Sequence, residues 1–523
     1  MLEITAILVA AAVVYGIGRA TGLPVVPLLI IVGVGLTAIG AMPDREFVIS
    51  ILEVGLVFLV FAAGIDMSPA RVGKQTNLAM KVGLIQFGAL GLIAGWMVLR
   101  TGYSLEETLY VALAISASST LVVVRLLKSR QELFESFGRM IIGVLLLQDV
   151  LVIGALVLLT ALSHENPSAM LLTLEVAAGL VILTVVMGKW VLPAVVERYR
   201  GEDETLLLIV LALLFGFVGV SYMGGVPLVV GAFLAGLSLS SFPTRSLVRG
   251  LITSLSDFFL VVFFISLGAL VSFPDSRILL EVLALIALVV VITPLLVAYV
   301  AEKAGMTSRG ALEAGLLLAQ TSEFSLIVGL QGMETGQISE DLFAAIVLVT
   351  VATMMLTPLI SSSRTARWLM HFHPNPGSKS GETGRDCHVV VVGGGTAGTL
   401  LLDKLQNAGV EAVVVDHDPM IVTRFRGRDC EAVWGDGEDP QVLKDAGVDR
   451  ARAVVITTGK LEHLYQVREI ADPETPIWIH VFEEEDARLA EEKGARTVVY
   501  STASADTFME WFGQRWPADG GCG

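Results

Sequence analysis

The chain of 523 residues is 54% hydrophobic and only 16% charged. Soluble domains are about a quarter charged, so a single soluble globular domain is excluded. A disordered or nucleic-acid-binding chain, which would be polar or basic, is excluded too. The formal net charge of −16 is uneven: residues 1–370 carry 20 basic and 25 acidic residues, residues 371–523 carry 15 and 26. A long apolar part and a short acidic part therefore need separate readings.

A bilayer core asks for about 20 apolar residues per helix. At that length thirteen spans are expected, near 3–20, 24–42, 50–65, 80–99, 108–127, 138–161, 169–191, 204–222, 226–241, 254–272, 279–300, 309–330 and 341–361. The first does not read as an obvious cleavable signal, since Glu3 stands where a positive segment belongs. The ninth is short and opens on Gly224, Gly225, Val226 and Pro227, which suggests a broken or re-entrant helix. With thirteen spans, 17 of the 20 basic residues fall on the side of the acidic C-terminal part, against Arg45, Arg100 and Arg277 opposite. Basic loops mark the cytoplasmic side. A cytoplasmic C-terminal domain and an outward N-terminus are expected, in a cell (inner) membrane.

The fifth span contains the polar run Ser116, Ser118, Ser119 and Thr120; the twelfth contains Gln320, Thr321, Ser322 and Glu323. Small hydroxyl residues also serve close helix packing. Polar interruptions at matching places in two halves, however, point to inverted repeats with discontinuous helices.

Acidic residues near span ends, such as Glu53, Asp66, Asp257 and Glu281, can reach the interface. Asp149 differs: it lies near the centre of the sixth span, in VLLLQDVLVIG. A carboxylate at that depth is costly and marks a functional site by default. It can hold a proton in one state and a dehydrated cation in another. Gln148 would supply a neutral carbonyl and a donor beside it. Glu323 is the second deep carboxylate, read as either a cation ligand or a structural group. Arg125 and Arg139 read as topology anchors. One mechanism follows: Asp149 takes a proton or a monovalent cation, not both, and the protein moves only when that charge is neutralised. Unwound carbonyls and hydroxyls around Ser118, Ser119 and Thr120, and around Gln320, Thr321 and Ser322, would complete the oxygen shell.

Residues 371–386 are rich in Pro, Gly and Ser and read as a linker. A β-branched run then leads into Gly393-x-Gly395-x-x-Gly398, a helix, and a second strand ending at Asp416. In that context the glycines form a dinucleotide fingerprint, with backbone approach to a pyrophosphate at a helix N-terminus. Thr396 follows the second glycine. Asp416 is placed for a ribose hydroxyl, and its charge disfavours the 2′-phosphate of NADP. NAD(H), AMP and ATP stay open. Asp436 either approaches the nucleotide or caps the next helix. Further β–α alternation predicts a six-stranded sheet over 387–515, with 516–523 as a tail. Cys387, Cys430 and Cys522 include no C-x-x-C pair. They read as neither a disulfide framework nor a metal site, in keeping with a reducing compartment.

The expected fold is thus a polytopic α-helical membrane domain with inverted repeats over 1–370, followed by an α/β Rossmann-like domain. Several segments resemble the monovalent cation:proton antiporter-2 family, in particular its Kef-type potassium/proton antiporters. They are SSTLVVV from Ser118, GRMIIGVLLLQD ending at Asp149, GAFLAGLSLS from Gly231, FFISLGALV from Phe263, AQTSEF from Ala319 and VVVDHDP from Val413. The resemblance implies a sodium/proton-antiporter-like fold, a homodimer with a moving core domain, potassium as the preferred cation with sodium as the alternative, and a regulatory TrkA-N domain that binds nucleotide. Many relatives carry a Lys where this chain has Thr293 and Pro294, so a carboxylate–lysine pair is not carried over. Glutathione-gated members carry an Arg where Thr396 stands, so that gating is not carried over either. No ancillary regulator is assigned. A potassium channel would need a T-V-G-Y-G type filter, and none occurs. An NAD-linked membrane oxidoreductase would need a hydride acceptor site, and no second nucleotide motif is present.

Overall fold

In a computed structural model, residues 2–362 and 388–500 are described, apart from 22–23, 68–75, 130–135, 165, 199–202, 241–245, 272–275, 305, 307, 428–429 and 483; residues 365, 368–369, 502–503 and 509 are described as well. The expected linker and tail lie outside the described residues. The chain divides into two compact units at about residue 366.

Helices or helix pairs occupy all thirteen apolar stretches. Their order is α1 (Leu2–Thr21), α2 (Val25–Ala38), α3 (Arg45–Asp66), α4 (Thr76–Arg100), α5 (Leu105–Ser116), α6 (Thr120–Ser129), α7 (Ser136–Leu162), α8 (Pro167–Val186), α9 (Leu192–Arg198), α10 (Asp203–Met223), α11 (Leu228–Leu239), α12 (Ser246–Ala269), α13 (Ser276–Ala287), α14 (Thr293–Lys303), α15 (Ser308–Leu317), α16 (Glu323–Glu334) and α17 (Glu340–Ile360). Eight helical segments among the described residues are long and apolar enough to cross a membrane by themselves. Helices dominate because a backbone in hydrocarbon must satisfy its own hydrogen bonds. Large apolar side chains such as Leu92, Ile182 and Leu280 stay exposed on the outside, as a lipid-facing surface requires.

Three departures from straight helices stand out. The fifth and twelfth spans break in the middle, at 117–119 and 318–322. The ninth span does not break: α11 is a continuous helix, and Gly224–Gly225 form a turn ahead of it, with Gly225 at φ +66°. Single π turns join α8 to α9 at Met187–Val191 and α13 to α14 at Leu288–Ile292.

The helices sort into two packed groups. In one, α2 and α3 pack on α12, and α3 and α10 pack on α11. In the other, α4 packs on α5, α7 and α14, and α16 packs on α5 and α17. Glycines set the crossings of the first group. A Cβ on Gly33 or Gly268 would strike a backbone carbonyl of the facing helix, Ile265 or Ile30. Gly64 and Gly236 relate α3 and α11 in the same way through Phe233 and Phe61. The two pairs sit at corresponding places in the two halves of the chain, which is inverted-repeat organisation written in packing. Gly236→Ala is expected to destabilise the membrane unit by about 1–3 kcal/mol, the range for forcing a methyl into a filled contact. Gly88→Ala, with open space around its Cα, is expected to leave stability unchanged or raise it slightly. Thermal unfolding of both variants in detergent checks the contrast.

The second unit contains β1 (Val389–Val392), β2 (Ala412–Asp416), β3 (Glu431–Trp434), β4 (Ala453–Ile456), β5 (Ile477–Val481) and β6 (Arg496–Val499). They form one parallel sheet in the order β3-β2-β1-β4-β5-β6. The six strands agree with the sequence expectation. The connecting helices are α18 (Thr396–Asn407), α19 (Pro419–Arg426), α20 (Pro440–Asp445), α21 (Leu461–Ile470) and α22 (Glu484–Glu492). Alternate residues of β1 and β2 feed two separate apolar clusters, Val390 and Val413 in one, Val391 and Val414 in the other. Helices therefore cover both faces, which is why these strands read as continuous β-branched runs. Strand order reverses at β1, between β2 and β4. That switch point opens a crevice at the carboxyl ends of the strands.

Candidate functional site

In the membrane unit the two breaks meet. The Ser118 hydroxyl donates to the Leu318 carbonyl at 2.8 Å, joining the first break to the second. The Ser118 amide donates to the Gln148 side-chain oxygen at 3.0 Å, and the Gln86 side-chain nitrogen donates to the Ser118 hydroxyl at 2.9 Å. All of these side chains are buried. The Ser325 hydroxyl, from α16, donates to the Ala114 carbonyl of α5. Orphan backbone groups left by the breaks are thus satisfied by side chains of neighbouring helices.

Each half-helix that leaves a break starts on a serine cap. The Ser119 oxygen accepts from the Val122 amide at 3.3 Å, and the Ser322 oxygen accepts from the Phe324 amide at 3.1 Å. Helix N-termini carry partial positive charge. Glu323 sits in the first turn of α16, and its carboxylate lies against Ser119 and the Leu121 backbone at the start of α6. One buried carboxylate therefore serves two helix N-termini.

Asp149 lies at the middle of α7, 1% exposed. The Thr120 hydroxyl donates to Asp149 Oδ2 at 3.2 Å, so the first residue of α6 touches the carboxylate. Oδ1 is buried and has no hydrogen-bond partner among the described residues. Neither Asp149 nor Glu323 has an ion-pair partner among them. The Thr293 hydroxyl, directly after the π turn, is buried and without a partner among the described residues. π turns often mark functional places in helices.

The expected ligand set divides. Ser118, Gln148 and the unexpected Gln86 form one network at the crossing. Thr120 reaches Asp149. The Gln148 carbonyl, expected as a ligand beside Asp149, accepts from the Ser118 amide; successive helical residues do not face the same way. Thr321 turns toward α17, with its amide donating to the Thr353 hydroxyl at 3.2 Å and its hydroxyl to Thr350 at 3.0 Å. The Thr357 hydroxyl holds the Ala319 carbonyl at 3.2 Å. Gln320 makes only a long 3.5 Å bond to the Leu317 carbonyl, and its oxygen is buried without a partner among the described residues. Sequence reasoning passed over Gln86, Thr350, Thr353 and Thr357. Their signal was present: a lone Gln inside an apolar span, and threonines at helical spacing on one face of the last span.

In the second unit the glycine loop leads from β1 into α18. Gly393 has φ +103°, and a Cβ there would crowd Thr457 and Thr458 at 2.7 Å. A Cβ on Gly398 would strike the Gly393 carbonyl. Gly395 differs: it caps α18 at an ordinary φ of −59°, with open space around it. Thr396 next to it is exposed. No described residue fills the place over Gly395, as a phosphate cradle at a helix N-terminus requires.

Asp416 ends β2 as expected, but its oxygens already accept from the Gly394 amide at 2.7 Å and the Asp418 amide at 2.8 Å. It holds the glycine loop to the end of β2, with His417 Nδ1 3.6 Å from Oδ1. Asp436 does not cap the next helix; Asp439 does, accepting from the Gln441 amide at 2.9 Å. Asp436 Oδ1 instead accepts from the Glu438 amide at 3.2 Å and lies 3.6 Å from Nε2 of His463 in α21.

Comparison with known proteins fits both units. The profile described as "Sodium/hydrogen exchanger, transmembrane" matches residues 6–362. The chain belongs to the sodium/hydrogen exchanger family. It is a multi-pass membrane protein of a transporter family, with a TrkA-N domain matched over residues 389–501. It is 27% identical to the glutathione-regulated potassium-efflux system protein KefC of Cronobacter sakazakii, over 90% of this chain and 76% of that protein. It is also 27% identical to the chloroplastic K(+) efflux antiporter 3 of Arabidopsis thaliana, over 85% of this chain and 63% of that protein. Among solved structures, the sodium proton antiporter MjNhaP1 of Methanocaldococcus jannaschii is similar with a TM-score of 0.54 and 17% identity, over 69% of this chain and 96% of that one. This likeness shows a sodium/proton-antiporter fold for the membrane unit.

Proposed function

We propose that the protein exchanges a monovalent cation, potassium first, for protons by competition at Asp149. One observation carries the reading: a fully buried mid-helix carboxylate has one oxygen held by Thr120 and the other unclaimed. A bare charge in that setting is costly. Binding either a proton or a cation removes the cost, and only one of them fits at a time. The Thr120 hydroxyl and the nearby unwound backbone supply neutral oxygens for a partly dehydrated ion. Glu323 acts beside this exchange by balancing two half-helix N-termini. Potassium rather than sodium rests on the potassium-efflux relatives.

In this proposal the membrane domain spans 1–370 and the regulatory domain 387–515, joined by 371–386. The regulatory domain faces the cytoplasm, binds NAD(H), AMP or ATP at Gly393–Gly398, and adjusts transport. The assembly is a homodimer in the inner membrane. A hydride-transferring enzyme and a channel are not favoured.

Proteoliposomes carrying a pH dye, offered K⁺, Na⁺, Rb⁺ and Li⁺ in turn, test the exchange. Competition predicts that the half-saturating K⁺ concentration rises as pH falls, by up to about tenfold per unit, while maximal rate holds, because the ligand must be deprotonated to take the cation. A falling maximal rate at constant half-saturation would refute competition at one carboxylate.

A further inference from the structure

We propose that the C-terminal domain carries a site for a divalent transition-metal ion, formed by Asp436, Glu438 and His463. The three residues come from two elements. Asp436 and Glu438 flank Gly437 in the loop after β3, and His463 stands in the first turn of α21. One ligand atom from each lies within 4.8 Å of the other two.

The imidazole is the decisive group. Its side chain is 7% exposed, and Nε2 is buried without a hydrogen-bond partner among the described residues. Nε2 points between two carboxylates, 3.6 Å from Asp436 Oδ1 and 3.8 Å from Glu438 Oε1. These separations are too long for hydrogen bonds. They match two ligands on one ion: with metal–ligand distances of about 2.0–2.2 Å, neighbouring ligand atoms stand roughly 3–4 Å apart. The other ring nitrogen, Nδ1, is 2.7 Å from the Thr458 hydroxyl. When Nδ1 is the donor to Thr458, the Nε2 lone pair faces the carboxylates, the tautomer that ligates a metal. A partner on the second nitrogen is the usual device that orients such a ligand.

The loop is shaped for this approach. A Cβ on Gly437 would meet Val392 at 2.6 Å and the imidazole at 3.4 Å. Only a bare glycine lets the Asp436–Glu438 segment lie against the ring. Asp439 then anchors the segment by capping α20.

One imidazole and two carboxylates suit Zn²⁺ or Mn²⁺. Ca²⁺ and Mg²⁺ prefer all-oxygen shells and should bind less well. Three protein ligands leave coordination positions for water or a phosphate oxygen. Thr458, the partner of His463, also borders Gly393, so the ion would stand beside the glycine loop. The site is built from this chain alone and does not depend on the nucleotide reading.

The test uses the full-length, tag-free protein in detergent, stripped with EDTA and dialysed. Mn²⁺ binding is read by electron paramagnetic resonance and Zn²⁺ binding by calorimetry, without nucleotide. One saturable site per chain is expected, with Ca²⁺ and Mg²⁺ at least about tenfold weaker. His463→Gln and Asp436→Asn should each weaken Zn²⁺ by more than about tenfold, since loss of even an outer partner reaches that range. An unchanged unfolding temperature of the apo variants shows that they are folded. Absence of one-to-one binding in the wild type, or unchanged affinity in both folded variants, overturns the site. Nucleotide binding, measured separately in EDTA, fails or holds on its own.

Discussion

Asp149→Asn is expected to abolish cation-dependent proton movement, lowering the initial rate in proteoliposomes by at least about 100-fold, which corresponds to roughly 2.7 kcal/mol. The substitution keeps shape and the ability to accept from Thr120, whose hydroxyl sits 3.2 Å from Oδ2. It removes the exchangeable proton and the negative charge together. The variant should stay folded, because a buried neutral amide costs no more than a buried carboxylate. Nucleotide binding should be unchanged, because Asp149 belongs to the other unit. Thr120→Ala should be milder, raising the half-saturating cation concentration while leaving exchange detectable. Exchange at the wild-type rate in Asp149→Asn would remove the central assignment.

The second large effect concerns the glycine loop. Gly398→Ala places a methyl against the Gly393 carbonyl, backbone against backbone, and neither side can yield by a rotamer change. Gly393 itself is confined at φ +103° by Thr457 and Thr458. The loop must therefore deform, and nucleotide affinity should fall by more than about 100-fold. Calorimetry of the full-length protein with NADH, NAD⁺, AMP and ATP measures this. Gly395→Ala separates deformation from ligand contact. Its surroundings are open, so the apo domain should keep its unfolding temperature. Affinity should still drop if a phosphate approaches that backbone. Undiminished binding in Gly395→Ala would refute the cradle.

Much of this protein was legible in its residues. Apolar runs located every helical stretch, because a bilayer imposes length and composition on each one separately. The β-branched runs and spaced glycines announced a six-stranded Rossmann-like sheet with a glycine loop after its first strand, because those signals are also local. The serines of the two breaks were visible as polar interruptions. Their partners were less so. Gln86 and Thr353 look like isolated packing residues until the fold brings them against Ser118 and Thr321. The ninth span misled for the reverse reason: its Gly-Gly-Val-Pro opening reads as a break inside a span, whereas the turn simply precedes a short continuous helix.

The sequence by itself determined the class of protein, the place of Asp149 midway along an apolar run and the presence of a nucleotide fingerprint. Each follows from composition or spacing within one segment. Only the tertiary structure decided which polar groups meet. Ser118 and Leu318 are 200 residues apart in the chain, and Asp436 and His463 follow different strands of the sheet, β3 and β4. Gly33 faces Gly268 across a helix crossing, and nothing near either residue says so. Adjacency in the chain pairs Gln148 with Asp149, and only the fold shows that its carbonyl also accepts from Ser118. Local energetics choose helix, strand and turn, whereas a binding site forms where distant surfaces close upon each other, and that closure is a property of packing.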